Sequence, residues 1–215
     1  MTTDTLLKES VLAELLWEPS VSAAHIGVTA RDGVISLMGH VKTFAEKHAA
    51  EAAARRVKGV KAIADEIEVK LSFDVKRTDE DIAAAIISRL AWDSTIPKDS
   101  VKATVQNGWV TLTGKVAWHF EHDAAAQDVR KLWGVVGVTN EIKVETRVNT
   151  ADVSGDIIRA LHRSWFDPSN VKVTANGGKV KLSGTVHSWS ERTLAGNTAW
   201  AAPGATVVEN DLVIA

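Results

Sequence analysis

The amino-acid sequence predicts an α+β chain of three tandem α-β-β-α-β modules, each a three-stranded mixed sheet with two helices on one face. Three observations predict it. A ten-residue hairpin pattern occurs three times, as DGVISLMGHV from Asp32, NGWVTLTGKV from Asn107 and GGKVKLSGTV from Gly177. The register holds far outside the hairpin, with Gly39, Gly114 and Gly184 in step, then Glu46, Glu121 and Glu191, then Gly59, Gly134 and Gly204. Upstream, Leu7, Val11 and Leu15 match Ile82, Ile86 and Leu90, and match Val153, Ile157 and Leu161. Self-similarity held in one register marks a repeated structural unit. The modules are drawn at residues 1–72, 73–149 and 150–215.

The first element of each module is a helix. Its aliphatics recur at i, i+4 and so share one face. In the second module Thr78 suits an N-cap, and the acids at 79 to 81 suit the positive end of the helix dipole. Loops holding Pro19, Pro97 and Pro168 end these helices. A strand follows, with Ile26 and Val28, Val101 and Val105, or Val171 and Val173 alternating with polar or small neighbours. Asp-Gly, Asn-Gly and Gly-Gly pairs suit two-residue hairpin turns, where both central residues take positive φ. The second strand then alternates again. A second, alanine-rich helix begins near Glu46, Glu121 and Glu191, and Gly59, Gly134 and Gly204 stop it. In the third module TLAGNTAWAAPGA carries an interior Gly196 and Pro203, which predicts a short or irregular helix. A last strand closes each module, in ADEIEV, TNEIKV and ENDLVI. The linkers are short, around 72–77 and 147–152.

The GxVxLxGxV-like hairpin and the terminal GVxxVxNxIxV strand resemble the BON domain, most closely in GWVTLTGKV and GVVGVTNEIKV of the second module. The resemblance covers nearly the whole chain, three times. It implies a bacterial protein related to osmotic or membrane stress, and phospholipid binding as the activity proposed for the module. One relative of the family, which joins this module to a LysM module, binds potassium. This chain has no LysM-like segment.

The composition is that of an ordinary globular protein, with 215 residues, 45% hydrophobic and 24% charged. Modules of roughly 65 residues have small cores, so packing between them is expected to add stability. The absence of cysteine excludes disulfides and thiolate chemistry. The start MTTDTLLKESVLAELLW reads as a first helix rather than a signal peptide. No run approaches the roughly 20 apolar residues of a spanning helix. The expected location is cytoplasmic, or periplasmic if a leader has been removed. Acids and bases, 27 and 25, balance in every module, so no nucleic-acid partner is expected.

The search for chemistry yields little. His119, Glu121, His122 and Asp123 form the tightest cluster, but the pattern is not HExxH and the other modules replace these positions. They read as solvated side chains at a helix start, with no metal and no cofactor expected. The recurring glutamates read as helix-start caps, since no second carboxylate recurs beside them for acid–base work. No Walker-type or GxGxxG pattern occurs. No catalytic residue is expected, and the chain reads as a non-enzyme.

Eight tryptophans and no tyrosine make the chain unusual. Trp17, Trp92 and Trp165, near the ends of the first helices, are expected to pack in cores or at domain edges. Trp109 points away from Val110 and Leu112, onto the uncovered sheet face, and is expected to pack between modules. Lys172, Lys179 and Lys181 alternate with buried-type residues and face outward together, which makes them the best candidate anion site. With Trp109 and Trp189 as interfacial anchors, they form the expected contact with an anionic phospholipid surface. The competing expectations are a soluble scaffold that binds a protein partner or itself without lipid, and a potassium-responsive protein that binds the ion through backbone carbonyls.

Overall fold

The computed structural model describes residues 3–72, 77–145, 153–165 and 167–214. Both linkers of the sequence reading lie largely outside these residues. The described residues form six α-helices and nine strands, in the order α-β-β-α-β three times. In the first repeat these are α1 (Thr3–Trp17), β1 (Ile26–Arg31), β2 (Val34–Val41), α2 (Phe44–Arg56) and β3 (Ala62–Val69). In the second they are α3 (Asp79–Trp92), β4 (Val101–Gln106), β5 (Trp109–Val116), α4 (His119–Arg130) and β6 (Gly137–Val144). In the third they are α5 (Val153–Leu161), β7 (Val171–Asn176), β8 (Lys179–Val186), α6 (Trp189–Trp200) and β9 (Val207–Ile214). Each sheet has its second strand in the centre. In the first and third sheets the hairpin pair is antiparallel and the last strand runs parallel to the centre, so the sheets are mixed as expected.

The hairpin turns need two residues with positive φ, and Asp32–Gly33, Asn107–Gly108 and Gly177–Gly178 supply them. The next recurring glycine has a different cause. At Gly39, Gly114 and Gly184 a Cβ would lie 2.0, 2.1 and 1.9 Å from a backbone oxygen of the chain entering the first strand. Only glycine allows that approach.

One face of each sheet is buried. In the first repeat Val28, Ile35, Leu37, Val41 and Ile67 meet Leu7, Val11 and Leu15 of α1 and Ala50, Ala53 and Ala54 of α2. In the third, Ile157, Leu161, Val180, Leu182, Ala195, Ala199 and Leu212 belong to one core. Alanines on the second helix bring its backbone close to the sheet. Helix α6 is regular over 12 residues, against the expected short or irregular segment. Gly196 is buried where α6 approaches β9, and Pro203 lies beyond the helix end.

Recurring polar residues tie the elements together. Asn210 donates from Nδ2 to the carbonyl of Arg192 in α6 and accepts from the amide of Leu212. Asn140 does the same with His122 and Ile142. Asp65 holds the equivalent place in the first repeat, where it cannot donate. There the Lys47 ammonium reaches the Ile67 carbonyl at 2.7 Å and Asp65 at 3.4 Å, as Arg192 reaches the carbonyls of Leu212 and Asn210 in the third repeat. Asp79, at the start of α3, accepts from the amides of Asn107 and Gly108, and Asp4 accepts from Asp32. Each first helix of these two repeats is thereby pinned to its hairpin turn.

Each sheet stays within one repeat, but the repeats group into larger compact units. The chain forms two compact units, one of Met1–Arg89, Ala103–Thr111 and Gln127–Thr139, the other of Leu90–Lys102, Leu112–Ala126 and Asn140–Ala215. The central repeat contributes to both. Within the first unit Arg130 of α4 lies 3.4 Å from His48 of α2. Within the second, the His119 ring of α4 stacks on Trp200 of α6, with centroids 4.0 Å apart. No described helix is long and apolar enough to cross a membrane.

Candidate functional site

The lysine cluster is built by strand alternation. Val180 and Leu182 turn into the core, so Lys179 and Lys181 turn out. Val173 is buried, so Lys172 is exposed beside them. The register places Lys172 opposite Ser183, Thr174 opposite Lys181, and Asn176 opposite Lys179. The three ammonium groups therefore share the open face of the third sheet.

That face also carries acids, which the sequence reading missed. Strand β9 pairs parallel with β8 and sets Glu209 opposite Lys181 and Asp211 opposite Ser183. Lys181 Nζ reaches Asp211 at 2.8 Å, and this hydrogen bond, followed by the charge of the pair, raises the lysine pKa. The face is a mixed-charge surface, with Lys172 on one edge and Lys179 toward the turn. The signal was legible in ENDLVI, where Glu209 and Asp211 alternate with Asn210 and Leu212. Reading it required the parallel pairing to the central strand.

The two tryptophans of the expected site stand elsewhere. Trp189 opens α6, on the helix-covered side of the sheet. It is half-buried, with the Arg192 guanidinium 5.2 Å over its ring. Trp109 is half-exposed on the open face of the second sheet. It lays its ring on Gly137 and donates from Nε1 to Thr139 at 2.9 Å. Its partners are in β6 of its own repeat, not in another module as expected.

The tryptophans expected in cores or at domain edges are the most exposed tryptophans of the chain. Trp17 and Trp92 are 84% accessible, and Trp165 is 71% accessible. Helix periodicity explains the error. Leu15 and Ile86 point inward, and Trp17 and Trp92, at the last helical position, have turned past the buried stripe, while Trp165 lies beyond the end of α5 at Leu161.

Another basic cluster, Arg55, Arg56, Lys58 and Lys61 at and just beyond the end of α2, is compensated at its arginines. Arg56 bridges Glu14 and Glu18 of the first-helix region at 2.8 and 3.0 Å, and Arg55 pairs with Glu51. The recurring glutamates are caps. Glu46 accepts from the amides of Ser22 and Lys42, Glu121 from Ala117 and Trp118, and Glu191 from His187. Thr43 and Ser188 complete the exchange by accepting from Glu46 and Glu191.

The histidines of α4 are partly buried rather than freely solvated, against expectation. The His119 and His122 side chains are 18% and 21% exposed, and their rings stack at 4.9 Å. Burial pushes the His119 pKa down. Asp123 sits between them, 3.4 Å from His119 Nε2 and 2.9 Å from His122 Nδ1.

Comparison with known proteins gives a consistent picture. The model of the BON domain matches residues 3–70, 78–146 and 149–215. The chain is similar to osmotically-inducible protein Y of Escherichia coli (strain K12), 27% identical over 66% of this chain and 73% of that protein. It is also similar to a 21 kDa hemolysin of Actinobacillus pleuropneumoniae, 32% identical over 61% of this chain and 69% of that one. The C-terminal domain of CdsD, a structural protein of the type III secretion system of Chlamydia trachomatis, aligns over 100% of this chain and 99% of that one. Its TM-score of 0.27 at 15% identity carries no argument.

Proposed function

The chain belongs to the BON domain family, and from that premise we propose that it is a stress-related, non-enzymatic array of binding modules that engages anionic phospholipid surfaces. The observation that carries the reading is the exposed tryptophan near the end of the first helix in each repeat, Trp17, Trp92 and Trp165. Indole has an apolar body and a polar N–H, and it favours the boundary between water and lipid. Exposed lysines such as Lys172 and Lys179 add about 1 kcal/mol each near an anionic surface. Lys181 adds less, because Asp211 already neutralises it. Each contact alone is weak, and three modules on one chain raise the avidity. The similarity to an osmotically inducible protein supports the stress-related part.

Flotation with vesicles tests the proposal, comparing phosphatidylglycerol-containing with purely zwitterionic membranes at low and high salt. Salt-sensitive flotation with the anionic vesicles alone is the expected result. Trp17→Ala, Trp92→Ala and Trp165→Ala together should abolish it, whereas Lys172→Glu with Lys179→Glu should reduce it several-fold. Absence of flotation under every condition overturns the lipid reading and favours a protein partner.

A further inference from the structure

From the start of α4, we infer a binding site for a divalent transition-metal ion of the zinc, nickel or copper class, held by His119, His122 and Asp123. The inference is independent of lipid binding. One ligating atom from each residue lies within 4.8 Å of the other two. Positions i, i+3 and i+4 of a helix fall on one face, so the backbone alone brings the three together. Two imidazole nitrogens and one carboxylate oxygen are the donor set these ions prefer, and two nitrogens disfavour magnesium and calcium.

The surroundings are built rather than incidental. His119 and His122 line a hollow of the second unit with Lys143, Glu145, Trp200 and Val207, and Asp123 stands beside it. The stack on Trp200, tilted by only 10°, holds the His119 ring in place while leaving its Nε2 beside Asp123. His119 Nδ1 is buried without a protein partner, so Nε2, beside Asp123, is the nitrogen offered to an ion. Metal–nitrogen bonds are about 2.0–2.1 Å, which sets donors around one ion about 3 to 3.4 Å apart. The Asp123 contacts already fall near that spacing. The two imidazoles stack in parallel, however, and parallel rings cannot both hold an ion in plane. Binding therefore turns His122 out of the stack while His119 stays against Trp200. Water completes the coordination.

The other repeats act as internal controls. They carry Phe44, Lys47 and His48, or Trp189, Arg192 and Thr193, at these positions. A rival pair exists in the first repeat, where His25 and His40 stack at 4.8 Å.

Calorimetric titration of the full chain with zinc and nickel in a non-chelating buffer tests the site, with circular dichroism to verify folding of each variant. One ion per chain is expected, with no response to magnesium. His122→Gln and Asp123→Asn should each weaken binding about tenfold or more, since even outer-shell partners are worth about 10–100-fold. Nickel or copper should quench part of the tryptophan emission, and that part should vanish in Trp200→Phe. A chain that binds no ion saturably overturns the site. So does binding that survives His122→Gln and Asp123→Asn, or that is lost instead in His25→Gln with His40→Gln.

Discussion

Asn210 shows how one side chain can carry a repeat. Its two hydrogen bonds satisfy a helix carbonyl and a strand amide at once. Asn210→Ala leaves both partially buried groups unmatched, and a loss of about 1–3 kcal/mol is expected in urea denaturation. The first repeat carries Asp65 at this position, paired with Lys47. Asp65→Asn should be nearly neutral there, because the new amide can donate to the Lys47 carbonyl as Asn210 does to that of Arg192 and so offsets the lost ion pair, while Lys47→Met alone, which removes the donor to the Ile67 carbonyl and the cation beside Asp65, should destabilise by about 1–2 kcal/mol. Loss of stability in Asp65→Asn equal to that of Lys47→Met would show that the ion pair, not the donor, matters. Gly114 admits no such substitution. A Cβ there would meet the Ser100 carbonyl at 2.1 Å, and Gly114→Ala should cost about 3 kcal/mol by the same measurement.

At the scale of elements, Gly196 sets two principles against each other. Replacing a helix-interior glycine with alanine ordinarily gains about 1 kcal/mol. A Cβ at Gly196, however, would lie 3.0 Å from Asn210 Nδ2, and Asn210 is held by its bonds to Arg192 and Leu212. The neighbour cannot retreat without breaking them. Gly196→Ala should therefore lower the denaturation midpoint despite the better helix former, and a raised midpoint would show that β9 yields. The pairing of α2 with α4 has a pH dependence of its own. Burial, then the Arg130 charge, pushes the His48 pKa below its usual 6.5; Arg55 adds to this and Glu51 opposes it. The folded chain thus favours neutral His48. As pH falls through about 6.5 the unfolded chain takes up the proton first, and stability declines. His48→Gln should flatten that part of the curve when urea midpoints are compared between about pH 7.5 and 5.5.

At the scale of the whole molecule, the repeats and the compact units divide the chain differently. The central repeat supplies segments to both units, so the second module shares its stability with its neighbours. Small cores of this size gain from such sharing. Truncation after residue 145 removes Trp200 from the His119 stack and takes most of the second unit away. The remaining fragment should show a lower thermal midpoint than the full chain. An unchanged midpoint would mean that the central repeat folds without help from the third.

The sequence by itself determined the repeat, the order of elements, the turns and the inward faces. These depend on local rules: helical and strand periodicity, positive φ at paired turn residues, and glycine where a helix stops. It also determined the family, because the recurring glycines and aliphatics are those local rules written three times. Contacts between elements distant in the chain were decided only by the tertiary structure. The parallel pairing of β9 put Asp211 against Lys181 and changed a cationic face into a mixed one. The approach of α6 to α4 put Trp200 on His119 and turned two supposedly solvated histidines into a half-buried cluster. Periodicity says which side of an element turns inward, but not which element arrives to meet it or what charge it brings.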